Sequence, residues 1–184
     1  KDGVLLAPAQ QFSLTEGQKE SAWFLADTAS PTPWQVWSTT QSLTLLANGN
    51  PYRVETRSLD TAGNYSSPLS TATFRYDNVQ PQSFVNSPAS GSTVTALTTI
   101  TGTSTDAGAL GGSGVFEIKV AIRRNSDNQW WGGVTFNNPI PAPFTLAGNP
   151  WSYGGLTSTD LDSGTSYYIT SWAKDNAQNS ESNY

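Results

Sequence analysis

The chain of 184 residues contains no cysteine, no histidine and no methionine. Without cysteine there are no disulfides and no thiol chemistry, and without histidine the commonest metal ligand and general base is gone. Zinc and copper sites and the usual catalytic triads are thereby excluded. Charge is scarce too: nine basic and 14 acidic side chains leave a net charge of −5 and a pI near 4.5. That balance argues against nucleic acid, whose binders carry a basic footprint. No apolar run approaches the roughly 18 residues that a membrane span requires, and Lys1-Asp2 does not open a signal peptide. Lacking an initiator methionine, the chain reads as an interior fragment or a processed product of something longer.

What is plentiful is the material of strands and turns. Sixteen Gly, 11 Pro and many Ser, Thr and Asn, with few helix formers, point to an all-β chain. Residues 52–64, YRVETRSLDTAGN, return as residues 167–179, YYITSWAKDNAQN. The offset is constant at 115, the distance from Tyr52 to Tyr167. It carries Leu46 onto Leu161, Gly49 onto Gly164, Asp60 onto Asp175, Ala62 onto Ala177 and Asn64 onto Asn179. A register kept over one strand and two turns marks a repeated unit.

Each copy reads Leu-x-x-Gly-x-x-Tyr, then an alternating run, then Asp-x-Ala-x-Asn. Tyr52, Val54, Thr56 and Ser58 fall on one strand face, and Arg53, Glu55 and Arg57 on the other. The corner formed by Leu46, Gly49 and Tyr52, with its second copy Leu161, Gly164 and Tyr167, resembles the tyrosine corner of Greek-key sandwiches. That resemblance implies phenol hydroxyls bonded to backbone within residues 46–49 and 161–164. In Asp-x-Ala-x-Asn the aspartate side chain bonds the turn backbone.

Residues 46–76 with their second copy resemble the end of the bacterial immunoglobulin-like and fibronectin III-like repeats found in tandem in secreted and cell-surface proteins. Residues 113–131, SGVFEIKVAIRRNSDNQWW, resemble the middle of the same family, and together these stretches cover about two fifths of the chain. The expected fold is therefore all-β: two tandem Greek-key sandwiches, residues 1–78 and 79–184. Their junction, residues 77–83, is short and polar. By the offset, the second unit's counterpart of residues 70–76 begins just beyond Tyr184, so that unit is expected to lack its last strand. Either the boundary is arbitrary or the strand comes from elsewhere.

In chain order, residues 4–6 and 11–14 form opening strands and residues 21–26 a third, while Trp34, Val36 and residues 42–46 supply more. The second unit opens over residues 84–94, broken at Pro88, and continues over 97–102. In its clearest strand Phe116, Ile118, Val120 and Ile122 face one way, and Glu117, Lys119, Ala121 and Arg123 the other. Residues 129–136 return, and 139–143 form a loop.

Little in this carries chemistry. The run 108–114, GALGGSG, lacks the Lys-Ser/Thr ending of a phosphate loop and leads into a strand. Glu16, Glu20, Glu55, Glu117 and Glu181 sit on solvent faces or in turns, with no two placed as a hydrolytic pair. Lys119 and Lys174 alternate outward, away from any isopeptide partner. Asn64-Tyr65-Ser66 has the form of a glycosylation sequon. Tyr168 and Trp172 share the face opposite Tyr167, Ile169, Ser171 and Ala173, and serve either as sheet cover or as a sugar-stacking surface.

Carboxylates are the only hard ligands available, so calcium is the one metal to expect. Sandwich topology would bring Asp77 and Asn78 of the linker, Asp106 of one loop, and Asp175 and Asn179 of the repeated turn to one end of the second domain, at the domain junction. The plainer alternative is that Asp60 and Asp175 only bond their own turns. The expected function is a non-enzymatic extracellular stalk, spacer or fibre-assembly unit of a bacterial surface or secreted protein. Its partners would be neighbouring immunoglobulin-like domains or subunits, joined by strand addition through a donor such as residues 4–6, with neither nucleic acid nor a membrane span. The alternative is a carbohydrate-binding accessory module of a polysaccharide-active enzyme, with surface glycan as the partner.

Overall fold

The computed structural model describes residues 4–7, 11–24, 26, 28–29, 37–38, 45–107 and 111–182. It is nearly all β, with several antiparallel sheets and only short helical turns. Two compact units divide between Tyr76 and Asp77, two residues ahead of the boundary read from the sequence. No helix among the described residues is long and apolar enough to cross a membrane.

Among the described residues of the first unit, strands pair as three antiparallel two-stranded sheets: β1 (Val4–Ala7) with β2 (Gln11–Thr15), β3 (Thr28–Ala29) with β4 (Trp37–Ser38), and β5 (Pro51–Thr56) with β6 (Ser70–Arg75). The strand expected over residues 21–26 is not formed among the described residues of that stretch. A 3₁₀ segment, Glu16–Ala22, stands there instead. Side-chain electrostatics account for the difference: Lys19 pairs with Glu55, Glu20 with Arg57, and the Arg57 guanidinium lies 4.1 Å from the ring centroid of Trp23. A cation seated on an aromatic face holds Trp23 without a neighbouring strand. Trp34, Val36 and residues 42–44 lie outside the described residues, and Leu45 sits in a turn. Among the described side chains of this unit Tyr52 is buried and stacked on Phe74 at 5.6 Å, whereas Val54, expected on the same inward face, is exposed.

The second unit is built of β7 (Gln82–Ser87), β8 (Ile100–Thr105), β9 (Val115–Arg124), β10 (Trp130–Trp131), β11 (Phe136–Asn138), β12 (Phe144–Leu146), β13 (Trp151–Tyr153) and β14 (Tyr167–Asp175). One sheet runs β7-β8-β13. In the other, the long β9 pairs with β14 on one side and with β12 and β10 on the other, and β10 continues to β11. A single core lies between the sheets. Ile100, Trp151 and Tyr153 enter it from one side, and Ile118, Val120, Ile122, Trp131, Phe136 and Ala173 from the other. Period-two alternation along β9 and β14 produces this division. Gly102 makes close layering possible, since a Cβ there would stand 2.0 Å from the Phe84 carbonyl oxygen and 2.1 Å from the Trp151 ring.

Three strand expectations are corrected in this unit. The strand read over 97–102 begins at Ile100, because Leu97 turns in to bond Ser158 from a loop. The return over 129–136 is two short strands around a tight Gly132-to-Thr135 turn. Phe116, expected inward, is 62% exposed. Lys174 pairs with Glu117 and Asp175 with Val115, so a bulge leaves Phe116 opposite no residue and turns it out.

Among the described residues no strand pairs with the second edge of β14 over residues 167–171. Beyond the Asp175 turn the chain doubles back. Glu181 N–H donates to the Ala173 carbonyl, while its carboxylate accepts the N–H of Ala173 and both the N–H and hydroxyl of Ser83.

Candidate metal centre

The 115-residue repeat is repeated in hydrogen bonds as well as in letters. Tyr52 hydroxyl accepts the Ala47 N–H at 2.7 Å, and Tyr167 hydroxyl accepts the Asp162 N–H at 2.8 Å. Gly49 and Gly164, at φ 76° and 72°, take the left-handed corner that suits glycine. At the turns, Asn64 and Asn179 donate their N–H groups to Asp60 and Asp175 Oδ1, both at 2.8 Å, and their side-chain amides to Oδ2 at 3.0 and 2.8 Å. Bridges Leu59–Tyr65 and Lys174–Ser180 close the two turns in the same register. Leu161 packs against the core of its unit.

The surroundings of the two turns differ. Asp60 stands exposed, while Asp175 is fully buried (0%) and is joined by Asp77 (8%) and Asp106. One oxygen from each of these three carboxylates lies within 4.8 Å of the others. All three belong to the second unit. Asp77 is fixed by the N–H groups of Val79 (3.1 Å) and Ser113 (2.7 Å), and Asp106 Oδ2 by the N–H of Gly114 at 2.6 Å. Ser113 Oγ in turn accepts the Ala177 N–H, and the Asn176 amide donates to the carbonyls of Ser113 and Gly114. The Ser113–Gly114 corner thus laces the Asp106 loop to the Asp175 turn. A Cβ on Gly112 would stand 2.3 Å from the Asp106 carboxylate, so that close approach requires glycine. Asp106 Oδ1 is buried and accepts no hydrogen bond.

Electrostatically the cluster is uncompensated. No Lys or Arg ion pair reaches any of the three among the described residues. Two unit charges at this separation repel by about 3 kcal/mol or more at an effective dielectric constant near 20. Burial, then the charges of Asp77 and Asp175, push the Asp106 carboxyl above its ordinary range. Burial works in the same direction on Asp77, but hydrogen bonds from Ser113 and Val79 outweigh it and hold that group low.

The chain matches no protein-family model, no curated protein and no solved structure.

Of the residues singled out in the sequence, the structure brings Asp77, Asp106 and Asp175 together. Asn179 is a tie rather than an evident ligand: its amide nitrogen donates to Asp175 Oδ2 and, at 3.2 Å, to the Asp77 carbonyl. Asn78 is exposed. Tyr168 and Trp172 lie on the outer face of β14, across from Arg123 and Lys119 of β9. The Arg123 guanidinium is 5.3 Å from the Tyr168 ring and 5.7 Å from that of Trp130, and the Lys119 ammonium is 5.2 Å from the Trp172 ring. Gly112, Ser113 and Gly114 were not foreseen as supports of the cluster. Their only signal was the glycine run itself, which reads as an ordinary loop until Asp106 is seen against it.

Proposed function

We propose that the chain is a non-catalytic, extracellular structural segment of a larger bacterial surface or secreted protein: two tandem immunoglobulin-like or fibronectin III-like Greek-key sandwiches serving as stalk, spacer or assembly unit. The observation that carries this reading is the hydrogen-bond register shared by the two units, corner for corner and turn for turn. What the copies have in common is a scaffold and not a cleft, which suits a spacer better than an enzyme. Its partners are neighbouring domains or further copies, added as strands to an open sheet edge such as that of β14. An antibody against the chain should decorate intact source cells or precipitate the parent protein from the medium. Label confined to lysed cells would overturn the assignment.

A calcium ion held by Asp77, Asp106 and Asp175 belongs to the same reading. Three acids from three separate segments, one with a buried oxygen that accepts no hydrogen bond, form the oxygen-rich irregular shell that this cation takes. The ion would supply the positive charge that the cluster lacks and stiffen the unit. Calcium should raise the thermal midpoint relative to chelator, and Asp106→Asn should abolish the rise; an unchanged midpoint disposes of the site.

The rival is a carbohydrate-binding module, favoured by the 39% exposed Tyr168 on the same strand face as Trp172. Against it, cations already sit on both rings. Glycan-array binding lost on Trp172→Ala would establish the rival, and binding to no polysaccharide would dismiss it.

A further inference from the structure

The two corners of the repeat share a geometry but not a chemistry. Before the left-handed glycine the first corner has Asn48 and the second Ser163, and Asn48-Gly49 is the one Asn-Gly pair in the chain. In such a pair the glycine nitrogen can approach the side-chain carbonyl carbon of the asparagine, because the glycine has no Cβ to stand in the way. What decides the outcome is whether that nitrogen is free. Here it is held: Gly49 is buried, and its N–H donates to the Tyr76 carbonyl at 2.7 Å. The Tyr76 N–H returns a bond to the Asn50 carbonyl at 3.2 Å. Pro51, opposite Arg75, has no N–H to give, so this reciprocal pair closes the end of the β5-β6 ladder. The Tyr52 hydroxyl braces the other side of the turn through the Ala47 N–H. Asn48 itself is only half-buried and stays within reach of water.

We propose that Asn48 is a site of self-modification, its side-chain amide lost to attack by the Gly49 nitrogen whenever Tyr76 lets that nitrogen go. The Gly49 N–H gives its proton to hydroxide, the nitrogen bonds to Asn48 Cγ, and the Cγ–Nδ2 bond breaks to release ammonia. Water then opens the five-membered imide at one carbonyl or the other. The products are aspartate and its isomer, in which the backbone runs through the former side chain. That isomer carries one extra backbone methylene inside a tight turn, which is closed by the Asn50 N–H on the Ala47 carbonyl at 3.3 Å. The bonds of Gly49 to Tyr76 and of Tyr52 to Ala47 then lose their common frame, and the modified corner stays loose. The fold is thus the guard of the site: reaction awaits a local opening that parts Tyr76 from Gly49, and its rate follows the population of that open state. Each reaction records one opening irreversibly.

The test incubates the full chain in mildly alkaline buffer, with and without denaturant, and follows residue 48 by peptide mass spectrometry and an isoaspartate assay. We expect the folded chain to react about tenfold more slowly than the unfolded one, or slower still. Tyr52→Phe removes the brace of this corner and should raise the folded-state rate about fivefold, the effect of one lost hydrogen bond on an opening equilibrium. Tyr167→Phe loosens only the second corner and should leave the rate at residue 48 unchanged. In the parent at graded low urea, that rate should rise in step with hydrogen exchange of the Gly49 amide, which needs the same N–H released, so the test stands even if Tyr52→Phe does not fold. No product at residue 48 in denaturant, equal rates with and without it, equal acceleration by the two tyrosine variants, or a rate that does not follow Gly49 exchange each overturns the proposal. Neither calcium nor the spacer role enters these readouts.

Discussion

The indole N–H of Trp131 donates to the hydroxyl of Tyr153 at 2.9 Å, inside the core and across the two sheets of the second unit. Trp131 comes from β10 and Tyr153 from β13, so this bond fixes the sheets in one alignment. Tyr153→Phe keeps the ring's contact with Phe144 and removes only the acceptor. A buried donor left unpaired costs about 1–3 kcal/mol. Chemical denaturation should show that loss as a lower midpoint at unchanged slope.

Gly102→Ala is expected to be the most damaging single methyl in this unit. The new Cβ meets backbone on one side and the buried Trp151 ring on the other, and neither is the free end of a flexible chain. Overpacking of this kind costs typically 1–3 kcal/mol, and here the top of that range or beyond. Thermal unfolding followed by tryptophan fluorescence checks it. A midpoint within a degree or two of the parent would show that β8 and β13 separate easily.

Tyr52→Phe and Tyr167→Phe should behave as a matched pair. Each removes one phenol acceptor and strands one N–H, that of Ala47 or Asp162, in a partly exposed corner. A loss of about 1 kcal/mol is expected for each. Hydrogen exchange reads them separately: the Ala47 amide should lose protection only in the first variant and the Asp162 amide only in the second.

Asp106 and Asp77 titrate in opposite senses, and stability should follow. The Asp106 carboxyl is raised above its unfolded value near 3.9, so its ionised form costs stability above the folded pKa. That cost is relieved as pH falls through the raised value. With chelator present, Asp106→Asn should therefore raise the midpoint near neutral pH, and the gain should fade on acidification. Asp77 is depressed, so it contributes stability above its unfolded pKa and loses it as pH falls through the folded one. Asp77→Asn should lower the midpoint at neutral pH. Thermal melts of both variants across the acidic range decide the signs.

How much of this was legible follows from the range of each interaction. The Asp60 and Asp175 turns involve groups within five residues, and their internal repeat made them readable. So was the alternation of Ile118, Val120 and Ile122, because period two is local. Phe116 was misread for a non-local reason: its fate depends on how Asp175, far along the chain, registers against Val115. Residues 21–26 carried strand-like apolarity, but the decision lay with Arg57, which takes Trp23 by its ring face. The acids Asp77, Asp106 and Asp175 could be named from loop order in the sandwich topology that the sequence resembles. Their glycine and serine supports could not, since those act through backbone N–H groups that every residue but proline has.

Glu181 gives the second unit a mechanical character. Its carboxylate takes two bonds from Ser83 and one from Ala173, so it closes a loop of 98 residues with a single side chain. A pull on the two ends of this unit meets those bonds, and the ties of Asp77 to Ser113 and Asn179, before it reaches the core. Two of them converge on one residue and share the tension, so they yield together and not in sequence. The unit should resist extension first at this latch, and Glu181→Ala should lower the force at which its ends begin to part while leaving the core to unfold at the same force.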